Sequence, residues 1–365
     1  MKLFECQSCR QPLYFENTRC ESCGRQLGYL PSHETVTALQ ANNGSLQALA
    51  EPKGSYRYCA NVEHNVCNWL LPFDHPEQFC AACRHNRTIP DLNQRNNQVH
   101  WRMMEAAKHR LFYTLLKLKL PLATRAEDPN GLAFDFIADT AAPVLTGHEN
   151  GLITINLAEA DDAERERRRH QMGEPYRTLL GHFRHEIAHY YWIRLVANSP
   201  SLDQFREVFG DERRDYGGAL QDYYAKGAPA DWPERFVSAY AVSHPWEDFA
   251  ETWAHYFHIV DTLETANAFG LIVKPKLPQS LTAKSYFDPH DSDLDRLIGS
   301  WLPLTFAVNL INRSMGLHDL YPFVLSPPAI AKLAFVHECV RAQAGLRTAP
   351  ESGLHAMIAG LRQRA

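Results

Sequence analysis

The sequence predicts a helix-dominated α+β protein that begins with small cysteine-rich domains. Eight of its nine cysteines lie in the first quarter of the 365-residue chain. The remainder contains long stretches with apolar residues at three- and four-residue spacing, which favours helices, and one short region of alternating pattern, which favours strands. A composition of 45% hydrophobic and 22% charged residues excludes a disordered or collagen-like chain.

Charge and apolar patterning narrow the class of protein further. The 37 lysines and arginines against 42 aspartates and glutamates give a net charge of −5, and the first 100 residues carry nine of each sign. This balance argues against a nucleic-acid partner. No run of about 18 apolar residues predicts a membrane span, and no apolar leader precedes Cys6, so we expect a cytoplasmic protein.

The first cysteine set has the spacing C-x2-C-x10-C-x2-C and consists of Cys6, Cys9, Cys20 and Cys23. Its two halves repeat each other. Each C-x2-C turn directs two thiolates at one tetrahedral ion, and Gly24 suits the positive φ that such a turn needs. We predict a structural Zn²⁺ site of the zinc-ribbon type, because four protein ligands leave no open position for a substrate.

The second cysteine set is more loosely spaced, as C-x7-C-x12-C-x2-C. Its members are Cys59, Cys67, Cys80 and Cys83. A second structural zinc site is predicted from its one tight pair, and nearby histidines are alternative ligands. These histidines are His64, His75 and His85.

The cysteine sets and the composition between them predict four segments. A four-cysteine ribbon covers residues 1–33, a polar linker 34–55, a second four-cysteine module 56–95 and one larger domain 96–365. Because the ribbons are electrically neutral, we expect them to contact protein or to cap the larger domain rather than to bind phosphate backbones.

The larger domain is predicted to open with a helix from Gln98 to just before Pro121 and to continue with strands over 131–137 and 152–157, the second after an Asn150-Gly151 hairpin signal. A charge run follows and predicts a solvated loop or helix face. Further helices are predicted over 174–197, 245–260, 328–344 and 352–364. Cys339, in the third of these helices, is expected in the core.

The helix over 174–197 contains the string His185-Glu186-Ile187-Ala188-His189. Residues four apart share one helical face, so both imidazoles can point at one zinc ion while Glu186 stands beside it. Apolar neighbours predict a buried helix whose histidines need partners. The alternative is a histidine stripe that serves packing or surface charge, and we expect such a role for His182.

A catalytic zinc ion needs a third protein ligand and one open position. The segment after His244 offers candidates, because Pro245 marks a first helical turn and Glu247 and Glu251 lie four apart on one face. Acidic residues also favour helix N-termini through the helix dipole, which accounts for Glu247 alone. It does not account for a stripe that continues through Glu251 to His255.

The two motifs together resemble those of the gluzincin metallopeptidases, in which a glutamate on the next helix completes a His-His-Glu zinc site. The local pattern is similar to that of the anthrax lethal factor type of catalytic domain, where a tyrosine seven residues before the ligand glutamate faces the zinc ion. Tyr240 stands seven residues before Glu247. With its cysteine ribbons, nearly the whole chain resembles a bacterial family of zinc-binding metallopeptidases.

The resemblance implies a zinc-dependent peptide-bond hydrolase with one catalytic and two structural zinc ions and a peptide or protein substrate. His185, His189 and Glu247 are then the zinc ligands, Glu186 the general base, and Tyr240 the group that stabilises the oxyanion. If Glu247 is not the ligand, Glu251 or His255 is next in line.

Other side chains receive less definite roles. Glu251 either hydrogen-bonds a ligand histidine or is an ordinary helix residue. His244 and His258 are expected to pack. By analogy with gluzincin-like folds, the strand over 152–157 is expected at a sheet edge, where it pairs with extended substrate.

Two other functions stay open. The body is a non-catalytic zinc-binding interaction or adaptor domain that retains the metallopeptidase fold, or the ribbons make the chain a nucleic-acid-associated adaptor. Glu186 and Tyr240 argue against the first, because a binding module has no use for a base beside the metal. The neutral charge of the ribbons argues against the second. A protein partner that binds the ribbons is compatible with each of these candidate functions.

Overall fold

This computed structural model describes residues 3–94, 96–139, 144–172, 176–276, 283–284, 293–343 and 345. It divides into two compact units, which are described separately. The first contains residues 1–114 and 122–172, and the second contains residues 115–121 and 173–365. Both contain helices and strands, which confirms the predicted α+β class. The helix predicted over 352–364 lies outside the described residues.

The first unit begins with a two-stranded ladder and a five-stranded antiparallel sheet. The ladder pairs β1 (Phe4–Glu5) with β2 (Pro12–Leu13). The sheet has the order β3-β4-β5-β6-β7, with β3 (Leu27–Leu30), β4 (Thr35–Asn42), β5 (Ser45–Ala48), β6 (Glu51–Tyr58) and β7 (Leu70–Pro72). Beside β7, Tyr29 of β3 donates its N–H to the carbonyl of Asn68 at 2.8 Å, so the first and last strands meet. The sheet buries Leu30, Leu39, Ala48, Tyr56 and Leu70.

The prediction of a polar linker over 34–55 is wrong, because this segment forms strands β4 and β5 and part of β6. Most of its polar residues lie on exposed or half-buried positions, although Thr37 is buried. Asn43 and Gly44 form the two-residue hairpin turn between β4 and β5 with φ of 44° and 84°. Positive φ at both positions is typical of the tight turn that matches the twist of paired strands. The limits 1–33, 56–95 and 96–365 stay predictions.

A second sheet of the first unit has the order β10-β11-β9-β8. Its strands are β8 (Asn86–Thr88), β9 (Ala133–Ile137), β10 (Gly147–Glu149) and β11 (Leu152–Asn156). The hairpin predicted at Asn150-Gly151 joins β10 to β11. The expectation that the strand over 152–157 is an edge strand is wrong, because β11 pairs with β10 on one side and β9 on the other. Its backbone groups are therefore not free to bind a peptide.

Two helices accompany these sheets. Helix α1 (Asn97–Lys117) begins one residue before the predicted start and ends three residues before the predicted end, and it buries Trp101, Met104 and Leu111. Helix α2 (Asp162–Met172) is the predicted charge run, and its arginines pair with acidic residues one turn away, as Arg167 does with Glu164 at 2.6 Å. Such i, i+3 pairs support an exposed helix.

The second unit is mostly helical. Its helices are α3 (Leu179–Leu195), α4 (Leu202–Phe209), α5 (Tyr216–Lys226), α6 (Pro245–Ala268), α7 (Leu294–Ser314) and α8 (Pro327–Gln343), with a short ladder of β12 (Ile272–Val273) and β13 (Ala283–Lys284). Helices α3 and α6 pack together, and Tyr191 stacks on Trp253 with ring centroids 5.1 Å apart. Cys339 is buried in α8, as predicted. Among the described residues, none of these helices has both the length and the apolar character that a bilayer crossing requires.

Candidate metal centres

The side chains of the His-Glu motif are presented by the middle of α3. The helix begins at Leu179, five residues later than predicted, because the hydroxyl of Thr178 accepts the N–H of Gly181 at 3.0 Å and caps the first turn. The motif therefore lies two turns inside the helix, where His189 and Glu186 are buried.

The predicted third ligand comes from the first turn of α6. This helix begins at Pro245, and Nδ1 of His244 accepts the N–H of Trp246 at 3.1 Å, which caps it. Glu247 is consequently held in a fixed, buried position beside α3.

The three predicted ligands converge. His185 Nε2 lies 2.9 Å from one carboxylate oxygen of Glu247, and His189 Nε2 lies 3.6 Å from the other. One donor atom from each residue lies within 4.8 Å of the others, a group that can hold a metal ion. Two imidazoles and a carboxylate are a donor set that suits zinc and leaves a coordination position open.

Glu251 orients one of these histidines instead of joining them. Its Oε1 lies 2.7 Å from His185 Nδ1, and its Oε2 accepts a hydrogen bond from Ser238 Oγ at 2.6 Å. The carboxylate fixes the imidazole so that Nε2 faces Glu247, as carboxylates do beside metal-binding histidines. Of the two readings of Glu251, the hydrogen-bonding one is the one observed. Ser238 was not predicted, since it lies in an irregular segment without a motif.

Two tyrosines lie beside this group. The ring of Tyr240, in a short 3-10 turn before α6, has its centroid 5.9 Å from that of His185. Tyr216, which the sequence did not single out, donates its hydroxyl to Glu247 Oε1 at 2.8 Å. Burial, with the charge of Glu247 adding to it, raises the pKa of both tyrosines well above the ordinary value. Both phenols are therefore protonated donors at neutral pH.

Neighbouring charges shift the pKa values of His185 and Glu247 in the direction opposite to the effect of burial. Burial alone lowers the pKa of His185, but the hydrogen bonds and charges of Glu247 and Glu251 outweigh it, and the pKa lies well above its usual value. Burial raises the pKa of Glu247, but the charges and hydrogen bonds of His189 and His185 outweigh it and hold the pKa well below its usual range. Glu247 is therefore ionised, as a metal ligand must be.

Glu186 differs from the other two carboxylates. Burial raises its pKa above the ordinary value, against the charges of His185 and His189. One of its oxygens is buried and accepts no hydrogen bond within the described part of the chain. A carboxylate in this state is a stronger base than one on the surface.

Four other described histidines of the second unit do not belong to the group of three candidate ligands. His244 caps α6, the ring of His255 lies 2.7 Å from the hydroxyl of Tyr321, and His258 contacts Arg184 at 2.5 Å. His182 is half-buried one turn before His185. The positions of His244 and His258 agree with the expectation that they pack, whereas His255, the reserve candidate for the third ligand, lies against Tyr321.

The first cysteine set forms a compact group. The four sulfur atoms lie within 4.8 Å of one another, with Cys6 3.7 Å from Cys23 and Cys9 3.6 Å from Cys20. The two turns are built alike: Arg10 N–H donates to the Cys6 carbonyl and Gly24 N–H to the Cys20 carbonyl, each at 2.8 Å. Gly24 has the predicted positive φ of 73°, and Arg10 adopts 65° at the matching position.

The second set, Cys59, Cys67, Cys80 and Cys83, is buried, and its sulfurs also lie within 4.8 Å of one another. The histidines named as alternative ligands lie elsewhere. His85 Nδ1 lies 2.9 Å from the Leu132 carbonyl, the ring of His64 packs 5.5 Å from that of Trp101, and His75 accepts the N–H of Glu77. The histidine at this site is His109 of α1, which no motif connects to the cysteines because it follows Cys83 by 26 residues.

Comparisons with known proteins agree with this architecture. Residues 97–339 match the family model described as "Putative zinc-binding metallo-peptidase", and residues 3–94 match a zinc-ribbon domain. Uncharacterized proteins of Mycobacterium bovis and of two Mycobacterium tuberculosis strains are each 43% identical to the chain over 343 residues, which cover 93% of this chain and 95% of the relative. No solved structure matches. Since the first match spans well over half of the sequence, the chain belongs to the putative zinc-binding metallopeptidase family.

Proposed function

We propose that the chain is a zinc-dependent hydrolase of peptide bonds in peptide or protein substrates. His185, His189 and Glu247 hold the catalytic zinc ion, and the two four-cysteine groups each hold a structural one. The observation that carries the proposal is the meeting of the α3 histidines with Glu247 of α6, with the buried carboxylate of Glu186 next to them in sequence. A binding module gains nothing from an unshared base at this place.

The chemistry divides between the ion and the protein. A zinc ion in this set lowers the pKa of a bound water molecule towards about 7 and polarises a carbonyl group. Glu186 accepts the proton of the attacking water and passes it to the amine nitrogen as the C–N bond breaks. Tyr240, kept protonated by burial, donates a hydrogen bond to the oxygen that gains negative charge.

Three further side chains hold this arrangement. Glu251 and Ser238 keep the imidazole of His185 in one orientation, and Tyr216 donates to the carboxylate of Glu247. A carboxylate that binds a metal is usually hydrogen-bonded in this way, which fixes the lone pair that faces the ion. The likeness to gluzincins and to the lethal factor type of domain is part of this proposal and rests on the two motifs.

The test compares the wild type with Glu186→Gln on a mixed peptide library, with new amino termini measured by mass spectrometry. We expect the wild type to generate new termini and Glu186→Gln to generate them at least about 100-fold more slowly, with unchanged zinc content. Glu234→Gln, the same chemical change at an exposed position, is the matched control and keeps full activity.

Two outcomes contradict the proposal. Equal cleavage by the wild type and Glu186→Gln rules out Glu186 as the general base. Zinc bound at His185, His189 and Glu247 without any cleavage by the wild type favours a non-catalytic zinc-binding domain with the same fold.

A further inference from the structure

The second cysteine group has a fifth donor atom, Nε2 of His109. This atom lies 3.4 Å from the sulfur of Cys67, 3.6 Å from that of Cys83 and 4.0 Å from that of Cys80. His109 lies on α1, and both this histidine and the four cysteines are buried. Five candidate ligands therefore meet where a tetrahedral zinc ion takes four.

The hydrogen bond on the other side of the ring identifies the nitrogen that faces the sulfurs. His109 Nδ1 lies 2.7 Å from the carbonyl oxygen of Glu105, one turn earlier in α1. A carbonyl oxygen only accepts, so in the neutral ring Nδ1 carries the hydrogen and Nε2 carries the lone pair. Metal-binding histidines are oriented by the same kind of bond.

The distances fit a tetrahedral site. Zn–S and Zn–N bonds of about 2.3 and 2.05 Å place neighbouring donor atoms roughly 3.5 to 3.8 Å apart. The Nε2–sulfur distances of 3.4, 3.6 and 4.0 Å lie around this range, and Cys67 and Cys80 are 3.8 Å apart. His109 Nε2 thus occupies the position of a fourth ligand above the face formed by Cys67, Cys80 and Cys83.

Cys59 is the other candidate for the fourth ligand. Its sulfur belongs to the group of four within 4.8 Å, and it accepts the N–H of Cys80 at 3.3 Å. Since two atoms cannot share one place, Cys59 and His109 cap the three shared sulfurs at different positions. Each of these two residues therefore lies close enough to the three shared cysteines to serve as the fourth ligand from its own position.

The turn of α1 that carries His109 is held firmly. Glu105 forms a buried ion pair with Lys108 at 2.9 Å and accepts the indole N–H of Trp101 at 3.1 Å. The ring of His109 packs against that of Trp69, with centroids 5.1 Å apart. A donor on so rigid a support is preorganised for binding.

We propose that the second metal centre has two alternative fourth ligands: Cys67, Cys80 and Cys83 bind the zinc ion together with either Cys59 or His109. Loss of the Cys59 thiolate then leaves a complete four-ligand site. The inference uses zinc binding by this cysteine group and does not depend on peptidase activity.

The test is the zinc content of the purified full-length chain and its variants. We expect Cys59→Ala to retain as much zinc as the wild type, whereas Cys67→Ala, which breaks the shared face, loses one ion per chain. The double variant Cys59→Ala/His109→Ala also loses one. With cobalt in place of zinc, Cys59→Ala loses sulfur-to-metal charge-transfer absorption without loss of metal. Loss of one zinc ion by Cys59→Ala alone overturns the proposal.

A second measurement covers the case in which Cys59→Ala does not fold. Transfer of zinc to a chromogenic chelator is timed for the wild type, His109→Ala and His64→Ala, a histidine control in the same unit that lies away from the sulfurs. We expect His109→Ala to release one ion about tenfold faster or more than the other two. Equal release rates in all three proteins contradict the role of His109.

Discussion

Glu251 and His185 are joined by a hydrogen bond of 2.7 Å between a carboxylate oxygen and Nδ1, and this bond turns the opposite nitrogen of the ring towards Glu247. The sequence places Glu247 and Glu251 on one helical face, with Glu247 predicted as the third ligand and Glu251 next in line. The structure separates them: one carboxylate faces both histidines, and the other holds one histidine in place.

This relationship predicts the effect of Glu251→Gln on metal binding. The amide oxygen accepts a hydrogen bond less strongly than a carboxylate, so the imidazole of His185 is less firmly oriented and less basic. We expect zinc affinity at the candidate site of His185, His189 and Glu247 to fall by about 10- to 100-fold, measured by competition with a chelator. Ser238→Ala, which removes the support of Glu251, changes the affinity in the same direction by a smaller factor. Unchanged affinity in both variants contradicts this role.

Tyr240→Phe tests the proposed donor to the developing negative charge. Because the hydroxyl helps only in the transition state, we expect kcat to fall on the order of 100-fold while zinc content and KM change little. Tyr224→Phe, an exposed tyrosine nearby in sequence, is the control and retains kcat. An equal fall in both variants, or a rise in KM alone, assigns Tyr240 a different role.

The ion pair of Lys332 with Asp248 predicts a stability effect. Both side chains are buried, their charged atoms are 2.6 Å apart, and Lys332 also donates to the carbonyl of Arg235 at 2.9 Å. Lys332→Met leaves the carboxylate buried without its cation, so we expect the free energy of unfolding to fall by about 3 to 5 kcal/mol in urea denaturation.

A matched double variant distinguishes the stability contribution of the ion pair from that of the packing of the lysine side chain. Lys332→Met combined with Asp248→Asn removes both charges, and we expect it to recover much of the lost stability. If the double variant is as unstable as the single one, the loss comes from packing of the lysine side chain and not from the unpaired carboxylate.

His255 predicts a pH dependence of stability. Burial lowers the pKa of this residue to about 4, against the opposing charge of Glu251, whereas the unfolded chain has the ordinary value of about 6.5. Below pH 6.5 the unfolded state binds the proton more readily, so stability falls as the pH falls from about 6.5 towards 4. The residue contributes a loss on the order of 2 kcal/mol between pH 7 and 5.

The measurement compares wild type and His255→Gln by urea denaturation at pH 7 and pH 5. The glutamine keeps a hydrogen-bonding group for Tyr321, so the difference between the two proteins reports the titration of His255 together with its effect on the neighbouring His258. We expect the variant to lose less stability on acidification. The same loss in both proteins shows that His255 is protonated in the folded state or that another group dominates.

Local spacing predicts which side chains meet in the group of His185, His189 and Glu247. The positions of His185 and His189 follow from helix geometry, which relates residues four apart without reference to the rest of the chain. The start of α6 was also predictable, because Pro245 suits a first helical turn and His244 precedes it as the cap. The predicted site residues of both units were therefore those that lie in short motifs.

The residues that were missed reach their sites through tertiary packing. Tyr216, Ser238 and His109 lie in no motif, and chain folding alone brings each to its partner. The polar segment over 34–55 was misread for a related reason. In strands with one solvated face, the exposed residues and turns are as polar as a linker. Only the apolar residues on the buried face distinguish such strands from a linker.

The meeting of β3 with β7 also bears on how the protein behaves among other proteins. An open sheet exposes a row of unpaired N–H and C=O groups, onto which a strand from another molecule can add. Here the N–H that Tyr29 presents at the outer side of β3 is already bonded to Asn68. The outer side of β3 is thus partly occupied within its own unit, which leaves the five-stranded sheet fewer free backbone groups for strand addition by another molecule.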